Sequence, residues 1–325
     1  MSSVRHHPSE LDTDGGVERS DSVTLVSRVA CPACGETDHH PVWRDRFDAD
    51  GLRRWWNQTG YEVDVASVLA GEWFELVRCA ACSMRYQRRV LADDDLGELY
   101  SSWISPAQAE RCVRQFAADD PSRTAFDASR HAVGRLLTLR RAVEVRSGEA
   151  PRLLDFGCGD GGFVRLAAGF GFDAHGVDFS SSRRTQAERG GVELVSDVDQ
   201  WHREERGTVD AVTMIEVLEH LVDPVGALRN LTTVLEPGGV LLVEVPDCSG
   251  IDSPSDFGGF NYLNPLEHVN AFTPETLEQL CARAGFVPLR RGPVFVTASL
   301  IGAARAVASS MLRQRSTRRY FRLAA

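Results

Sequence analysis

Asp155 ends the apolar run that starts at Leu153, and Gly157, Gly159, Gly161 and Gly162 follow it closely. The glycines at 157, 159 and 162 have G-x-G-x-x-G spacing, in which missing Cβ atoms permit positive φ and let a ligand lie against the backbone. That spacing alone fits a dinucleotide as well as other nucleoside ligands. The acid separates the two, because a carboxylate just upstream of the turn repels a pyrophosphate and attracts a ligand that carries an ammonium or a sulfonium. Asp178 ends a second apolar stretch about twenty residues after the first glycine, where an acid of a nucleotide-binding sheet meets ribose hydroxyls. NAD would use that acid too, so a nicotinamide-dependent oxidoreductase stays as the competing class. Asp197 and Glu216 end the next two apolar runs. Acids repeated at strand ends are hard to explain as core.

Two further constellations carry chemistry. Cys31 and Cys34, and then Cys79 and Cys82, are C-x-x-C pairs that together can hold one tetrahedral ion as a zinc ribbon. Four sulfurs leave no open position, so such a metal is structural; the other reading is two unrelated pairs or a redox motif. His268, beside Glu267 and six residues after Tyr262, is the candidate general base, with Glu267 or Tyr262 orienting it. The alternative is a histidine that satisfies loop backbone. His220 follows a strand end directly and is expected to shape the floor of the ligand site. Cys158, inside the glycine turn and with no base nearby in sequence, reads as a small filler, and so do Cys112, Cys248 and Cys281.

These residues need a scaffold. From residue 152 the pattern alternates: strand 152–156, helix 161–170, strand 173–178, helix 181–189, strand 192–196, strand 209–215, helix 224–235, strand 239–245. That order implies a doubly wound α/β fold, a Rossmann-like, mostly parallel sheet with helices on both faces. Ligands in such sheets bind beyond the carboxyl ends of the strands, where the four acids fall. The expected organisation is a disordered lead-in over 1–25, a zinc-binding module over 26–92, a helical bridge over 93–150, the ligand-binding domain over 151–300 and a basic helix or tail over 301–325. Trp43, Trp55, Trp56, Tyr61, Trp73 and Phe74 lie between the cysteine pairs. They are expected to form the module's own small core, with stacking on a substrate as the alternative.

Composition excludes several classes. The net charge is −10, which argues against a nucleic acid as main partner. All 36 basic residues are arginine. A Schiff-base, P-loop or kinase lysine is therefore absent. The apolar run 293–304 is shorter than the roughly 20 residues a membrane span needs. The cysteine spacing, with no secretory signal, points to the reducing cytoplasm. Arg305, Arg313, Arg315, Arg318, Arg319 and Arg322 make the C-terminal stretch locally basic, as a solvated helix or as a dock for an anionic partner.

The stretch from about 150 to 290 resembles the class I S-adenosylmethionine-dependent methyltransferases. Leu153 to Phe163 is similar to their glycine-rich first motif, Gly176 to Ser180 to the ribose-binding acid, and Ser196, Asp197 and Val198 to the adenine-contacting segment. Residues 210–221 and 235–243 are similar to their fourth and fifth strands. The resemblance implies S-adenosylmethionine as cofactor, with Asp155, Gly157, Gly159, Asp178, Phe179, Asp197, Val198 and Glu216 around it. The N-terminal cysteine module resembles, more narrowly, that of bacterial enzymes that methylate sugars or other natural-product intermediates, including deoxysugar C-methyltransferases. Those carry a Tyr and a Glu-His pair after the fifth strand, matched by Tyr262, Glu267 and His268. They also have a longer C-terminal domain, so O-methylation of a small-molecule acceptor, possibly nucleotide- or carrier-linked, is the expectation, with C-methylation as the alternative. A non-catalytic binding protein on the same fold is the reading from another class.

Overall fold

The computed structural model of the chain describes residues 23–59, 61–104, 121–143, 149–251, 262–289 and 317–324. Most of the expected lead-in, Cys112, residues 252–261 of the loop before His268, and Arg305, Arg313 and Arg315 lie outside the described residues.

The N-terminal part is built on strands β1 (Leu25–Ser27), β2 (His39–Arg46), β3 (Trp73–Cys79), β4 (Arg85–Gln87) and β5 (Arg89–Leu91), with helices α1 (Asp50–Thr59) and α2 (Val65–Val68) between β2 and β3. Phe47, Trp55, Trp56, Tyr61 and Phe74 are buried together with Trp43 packed against them, but that core is shared with Leu99, Trp103, Leu263 and Leu266 from later segments, and Trp73 lies outside it beneath Arg44. Helix α3 (Asp93–Glu98) runs into a single π-helical turn (Leu99–Trp103), and helix α4 (Pro121–Ala142) leads toward the main sheet.

The main part continues β6 (Arg152–Phe156), α5 (Gly162–Gly169), β7 (Asp173–Val177), α6 (Ser181–Arg189), β8 (Leu194–Val195), α7 (Val198–Arg203), β9 (Val209–Ile215), a 3₁₀ turn (Leu218–His220), α8 (Pro224–Leu231) and β10 (Leu235–Glu244). After them come β11 (Asn270–Ala271), α9 (Pro274–Arg283), β12 (Phe286–Pro288) and β13 (Arg318–Leu323). The seven-stranded sheet has the order β12-β13-β10-β9-β6-β7-β8. Strands β6 to β10 pair in parallel, and β13 is antiparallel to both neighbours. The order reverses between β6 and β9, which creates the crevice where such sheets bind ligands.

Side chains alternate across each strand, so consecutive apolar residues feed two different cores. Leu153, Ala211, Val240 and Leu242 face Leu136, Leu139 and Ala142 of α4. Leu154, Val212, Leu241 and Val243 share the other core with Leu228 and Leu231 of α8 and with Leu277 and Leu280 of α9. This two-sided burial is why the strands read as nearly continuous apolar runs.

The structure adjusts the sequence reading in several places. The helix expected to reach residue 235 stops at Leu231, and β10 starts at Leu235 by passing through Gly238, at φ +75°, with a register shift before Val240. The strand expected over 192–196 is paired only at Leu194 and Val195. Leu25, placed in the lead-in, belongs to β1. The basic C-terminal stretch is not helical over 318–323: it is β13, held by burial of Phe321 and by pairing with β10. Its arginines are drawn in by acids, because Arg318 binds Glu244 and Arg319 binds Glu278.

The two parts of the chain are not separate bodies. Strand β11 completes the N-terminal sheet in the order β11-β4-β3-β2. Cys31, Val77, Cys79, Met84 and Tyr86 are buried in the same core as Leu154 and Val212.

Candidate active site

Gly157 leaves the end of β6 at φ +76°, and its N–H donates to Val177 O at 2.8 Å. A Cβ here would lie 2.4 Å from Val217 Cγ2, so only glycine fits between the two strand ends. Gly159 at φ +59° turns its N–H onto Asp178 Oδ2 at 2.8 Å, while Ser180 N–H donates to Oδ1 at 2.9 Å. The buried Asp178 therefore pins the glycine turn to the start of α6. Cys158 fills the space over Gly176, where a Cβ would come within 2.6 Å of its sulfur. Burial pushes its thiol well above the usual range, which suits a filler and not a nucleophile.

Asp155 is buried in β6 and accepts from Thr213 Oγ1 on β9 at 2.6 Å. Burial pushes it up to about 7, with the Thr213 hydrogen bond and Arg135 acting in the opposite sense. Neither offsets the burial in full. Asp197 is exposed and caps α7, accepting from Gln200 N–H at 2.6 Å and from Ser196 Oγ at 2.6 Å, while Val198 behind it is buried. Phe179 is 62% exposed and meets the Tyr100 ring edge-on at 5.6 Å. Glu216 follows β9 with φ +54°, a strained conformation for a non-glycine residue. Asp155, Asp178, Asp197 and Glu216 thus all lie at or just past the carboxyl ends of the parallel strands.

A second cluster stands next to this edge. Glu219, His220 and His268 each present a ligand-type atom, all within 4.8 Å of one another. The His220 and His268 rings meet edge to face at 4.8 Å. His220 Nδ1 and the Tyr100 hydroxyl are 2.8 Å apart, so the π-helical turn ties the cluster to Phe179. His268 Nδ1 lies 3.2 Å from Tyr262 O. A carbonyl only accepts, so Nδ1 carries the proton and Nε2 keeps its lone pair. Burial lowers the pKa of both histidines. Burial and the like charge of Glu216 raise Glu219 well above the carboxylate range.

Of the three residues expected to act together after the fifth strand, the structure brings only His268 into this cluster through its side chain. Glu267 accepts from Tyr61 Oη at 2.5 Å and from Asn264 Nδ2 at 2.7 Å instead. Tyr262 contributes its backbone carbonyl, while its side chain is 44% exposed. Glu219 and Tyr100 were missed in the sequence. The signal for Glu219 was its place in Glu216-Val217-Leu218-Glu219-His220, an acid repeated beside a histidine just past a strand.

The N-terminal part holds the loop that carries His268. Gln87 Nε2 donates to His268 O and to Asn264 O, both at 3.0 Å. Buried Arg28 donates to Gln87 O at 2.9 Å, Val269 O at 2.7 Å, Asn270 Oδ1 at 3.0 Å and Val222 O at 3.2 Å. Asn270 Nδ2 then reaches Leu221 O at 2.6 Å, closing the link to the 3₁₀ turn.

The four cysteines expected to bind metal converge, with Cys31 Sγ to Cys82 Sγ at 3.6 Å and Cys34 Sγ to Cys79 Sγ at 3.4 Å. A tetrahedral Zn–S distance of about 2.3 Å implies sulfurs roughly 3.8 Å apart, so the set fits that ion. Burial pushes the Cys31 thiol above its usual range and Cys82 up to about 11, a penalty that a +2 charge would reverse.

A family profile described as "Methyltransferase domain" matches residues 113–290, more than half of the chain. The chain belongs to that methyltransferase family. Among curated relatives, it is 30% identical over 166 residues to the ubiquinone biosynthesis O-methyltransferase of Dinoroseobacter shibae (strain DSM 16493 / NCIMB 14021 / DFL 12), which covers 44% of this chain and 63% of that protein. It is 33% identical over 99 residues to the enzyme of the same name from Xanthomonas axonopodis pv. citri (strain 306), covering 28% of this chain and 41% of that protein. The matches thus span less than two thirds of these relatives. A solved structure of the plantazolicin methyltransferase BpumL, in complex with a triazolic desmethylPZN analog and SAH, is similar with a TM-score of 0.47 and 12% identity, covering 71% of this chain and 95% of that one. The class I methyltransferase fold of this chain rests on its own sheet order and on the family match. Among the described residues no helix is long and apolar enough to cross a membrane.

Proposed function

We propose that the chain transfers a methyl group from S-adenosylmethionine to a hydroxyl of a small-molecule acceptor, a sugar or natural-product intermediate. The observation that carries this reading is the buried Asp155, whose Thr213 and Arg135 partners offset its burial only in part, beside the Gly157–Gly159 turn and next to the Glu219–His220–His268 cluster. Asp155 and the turn take the methionine part, whose ammonium supplies further positive charge. Asp178 holds the ribose, already placed by two backbone amides. Asp197 receives the adenine amine, Val198 and Phe179 flank the base, and Glu216 closes the site at the end of β9.

S-adenosylmethionine supplies a methyl on an already activated sulfonium: the C–S bond breaks as the O–C bond forms, and its electron pair returns to sulfur. The chain's own task is to align the acceptor and receive its proton. His268 Nε2 is the base in this reading, because Tyr262 O fixes the opposite nitrogen. Glu267 positions the loop through Tyr61 and Asn264. Cys31, Cys34, Cys79 and Cys82 hold one structural zinc, and with it the N-terminal clamp on the His268 loop.

The named O-methyltransferase relatives support oxygen over carbon as acceptor; methylation of a deoxysugar carbon by the same Tyr262, Glu267 and His268 segment is the alternative. The test is incubation with S-adenosylmethionine and a panel of hydroxylated sugars and phenols, read by mass spectrometry. A mass gain of one CH₂ on a hydroxyl supports the reading; reduction or oxidation of a substrate with NAD(H) in its place would overturn it.

A further inference from the structure

We propose that Glu219, His220 and His268 form a binding site for a divalent cation on the acceptor side of the methyl-donor site. Two imidazoles and one carboxylate, with ligand atoms within 4.8 Å of one another, make a donor set suited to an ion such as Mn²⁺, Fe²⁺ or Zn²⁺. Three independent features support an ion here rather than a chance contact.

The first is Glu219. Its side chain is 1% exposed, neither carboxylate oxygen has a partner of good hydrogen-bond geometry, and the groups beside it are the like-charged Glu216 and His220 Nε2 at 3.8 Å. Buried carboxyl groups are normally paired, hydrogen-bonded or bound to a metal, and a cation between Glu219 and the histidines supplies what is missing. The second is the outer shell. Histidines that bind metals hand their other ring nitrogen to a neighbouring group that fixes the ring, and here Tyr262 O holds His268 Nδ1 while Tyr100 Oη meets His220 Nδ1. The third is how firmly the ligands are held. Glu219 and His220 ride on one 3₁₀ turn, and His268 is fixed to it through Asn270, Arg28 and Gln87.

Three protein ligands leave coordination positions open for an acceptor oxygen. This rests on the donor site proposed above and deepens it. With the ion in place, His268 serves as a ligand, and the acceptor hydroxyl, ionised by the cation, releases its proton to solvent before its oxygen takes the methyl group. Without the ion, transfer falls back on His268 Nε2 as the base and is slower.

The test uses the full chain with its cysteine site filled, since Mn²⁺ competes poorly for thiolates. Titration with Mn²⁺ alone, followed by electron paramagnetic resonance, should show one bound ion. Glu219→Gln and His268→Gln should each weaken it at least tenfold while S-adenosylhomocysteine affinity stays within about twofold, which shows that the variants are folded. Cys-bound zinc, counted by elemental analysis, should be unchanged. Absence of bound Mn²⁺, Mg²⁺ or Co²⁺, or equal binding by both variants, would overturn the site. Methyl transfer undiminished after EDTA dialysis would also overturn it and leave the donor assignment standing. Mn²⁺ binding with no binding of S-adenosylhomocysteine would support the cation site and remove the donor assignment instead.

Discussion

The two metal-capable clusters of this methyltransferase-family chain are built on opposite plans. Cys31, Cys34, Cys79 and Cys82 come as two short-range pairs whose four sulfurs close the coordination sphere. Glu219, His220 and His268 come from two distant turns and supply only three ligands. A closed set can only hold structure together, whereas an open one can accept a reactant. The difference matters because the first supports the second: Arg28 and Gln87, in the cysteine-bearing part, grip the backbone on which His268 sits. Damage to the closed site should therefore reach the open one through the fold, and damage to the open site should leave the closed one intact.

The largest expected effect follows from that asymmetry. Cys79→Ser should lose zinc and the packing of the N-terminal sheet, since structural zinc sites carry apparent folding free energies of about 10 kcal/mol or more in isolated zinc-finger peptides. The observable is insoluble or protease-sensitive protein, checked by elemental analysis and limited proteolysis. A fully stable, zinc-free variant would break the comparison. Next, His268→Ala should lower kcat by about 10²–10⁴-fold with the true acceptor, with cofactor affinity and zinc content intact. A loss below about tenfold would mean that the loop only positions the acceptor.

Two pH effects sharpen the picture away from both clusters. Burial alone would raise Glu244, but hydrogen bonds from Arg135 and Arg318 outweigh it and hold it at about 2. A depressed carboxylate stabilises the fold above its unfolded pKa, and that stability is lost as pH falls from about 4.5 toward 2. Glu244→Gln should leave two part-buried arginines short of a partner, lower stability by about 3 kcal/mol at neutral pH and flatten the acid limb of a Tm-versus-pH curve. Asp155 has the opposite sign: its pKa is raised to about 7, so its contribution is fully present below the unfolded value of 3.8 and is lost as pH rises through 7. Ionised Asp155 is also the better partner for an ammonium. S-adenosylhomocysteine should therefore bind more tightly as pH rises from 6 to 8, and calorimetry across that range checks it. Thr213→Val, which removes a hydrogen bond to the carboxylate, should move the midpoint upward by a smaller amount.

Much of the sheet was legible because alternation and turn chemistry are local. The strands at 152–156 and 209–215 and the helix at 181–189 fall where the apolar pattern put them. The glycine turn was legible for the same reason, since Gly157 is demanded by a clash with Val217 that any side chain would meet. What escaped depends on long-range pairing. Arg318–Leu323 reads as a basic tail until Glu244 and Val240–Val243 are placed beside it. Asn270–Ala271 becomes a strand only because β4 offers an edge. At the site, His268 and His220 were visible as titratable residues just past strand ends, but their meeting was not, nor were the places of Glu219 beside both and of Tyr100 on His220; Glu267 turns to Tyr61, more than two hundred residues earlier.

The central claim is that the methyl donor lies between the glycine turn and the acids at the strand ends. Titration calorimetry with S-adenosylhomocysteine and NADH, on the wild-type chain and on Asp178→Ala, tests it most directly. The account predicts one site for S-adenosylhomocysteine, none for NADH, and a loss of about 1.5–3 kcal/mol of binding free energy in Asp178→Ala, the range for a hydrogen bond to a charged group. Equal affinity in the two proteins, or preferential binding of NADH, would contradict it.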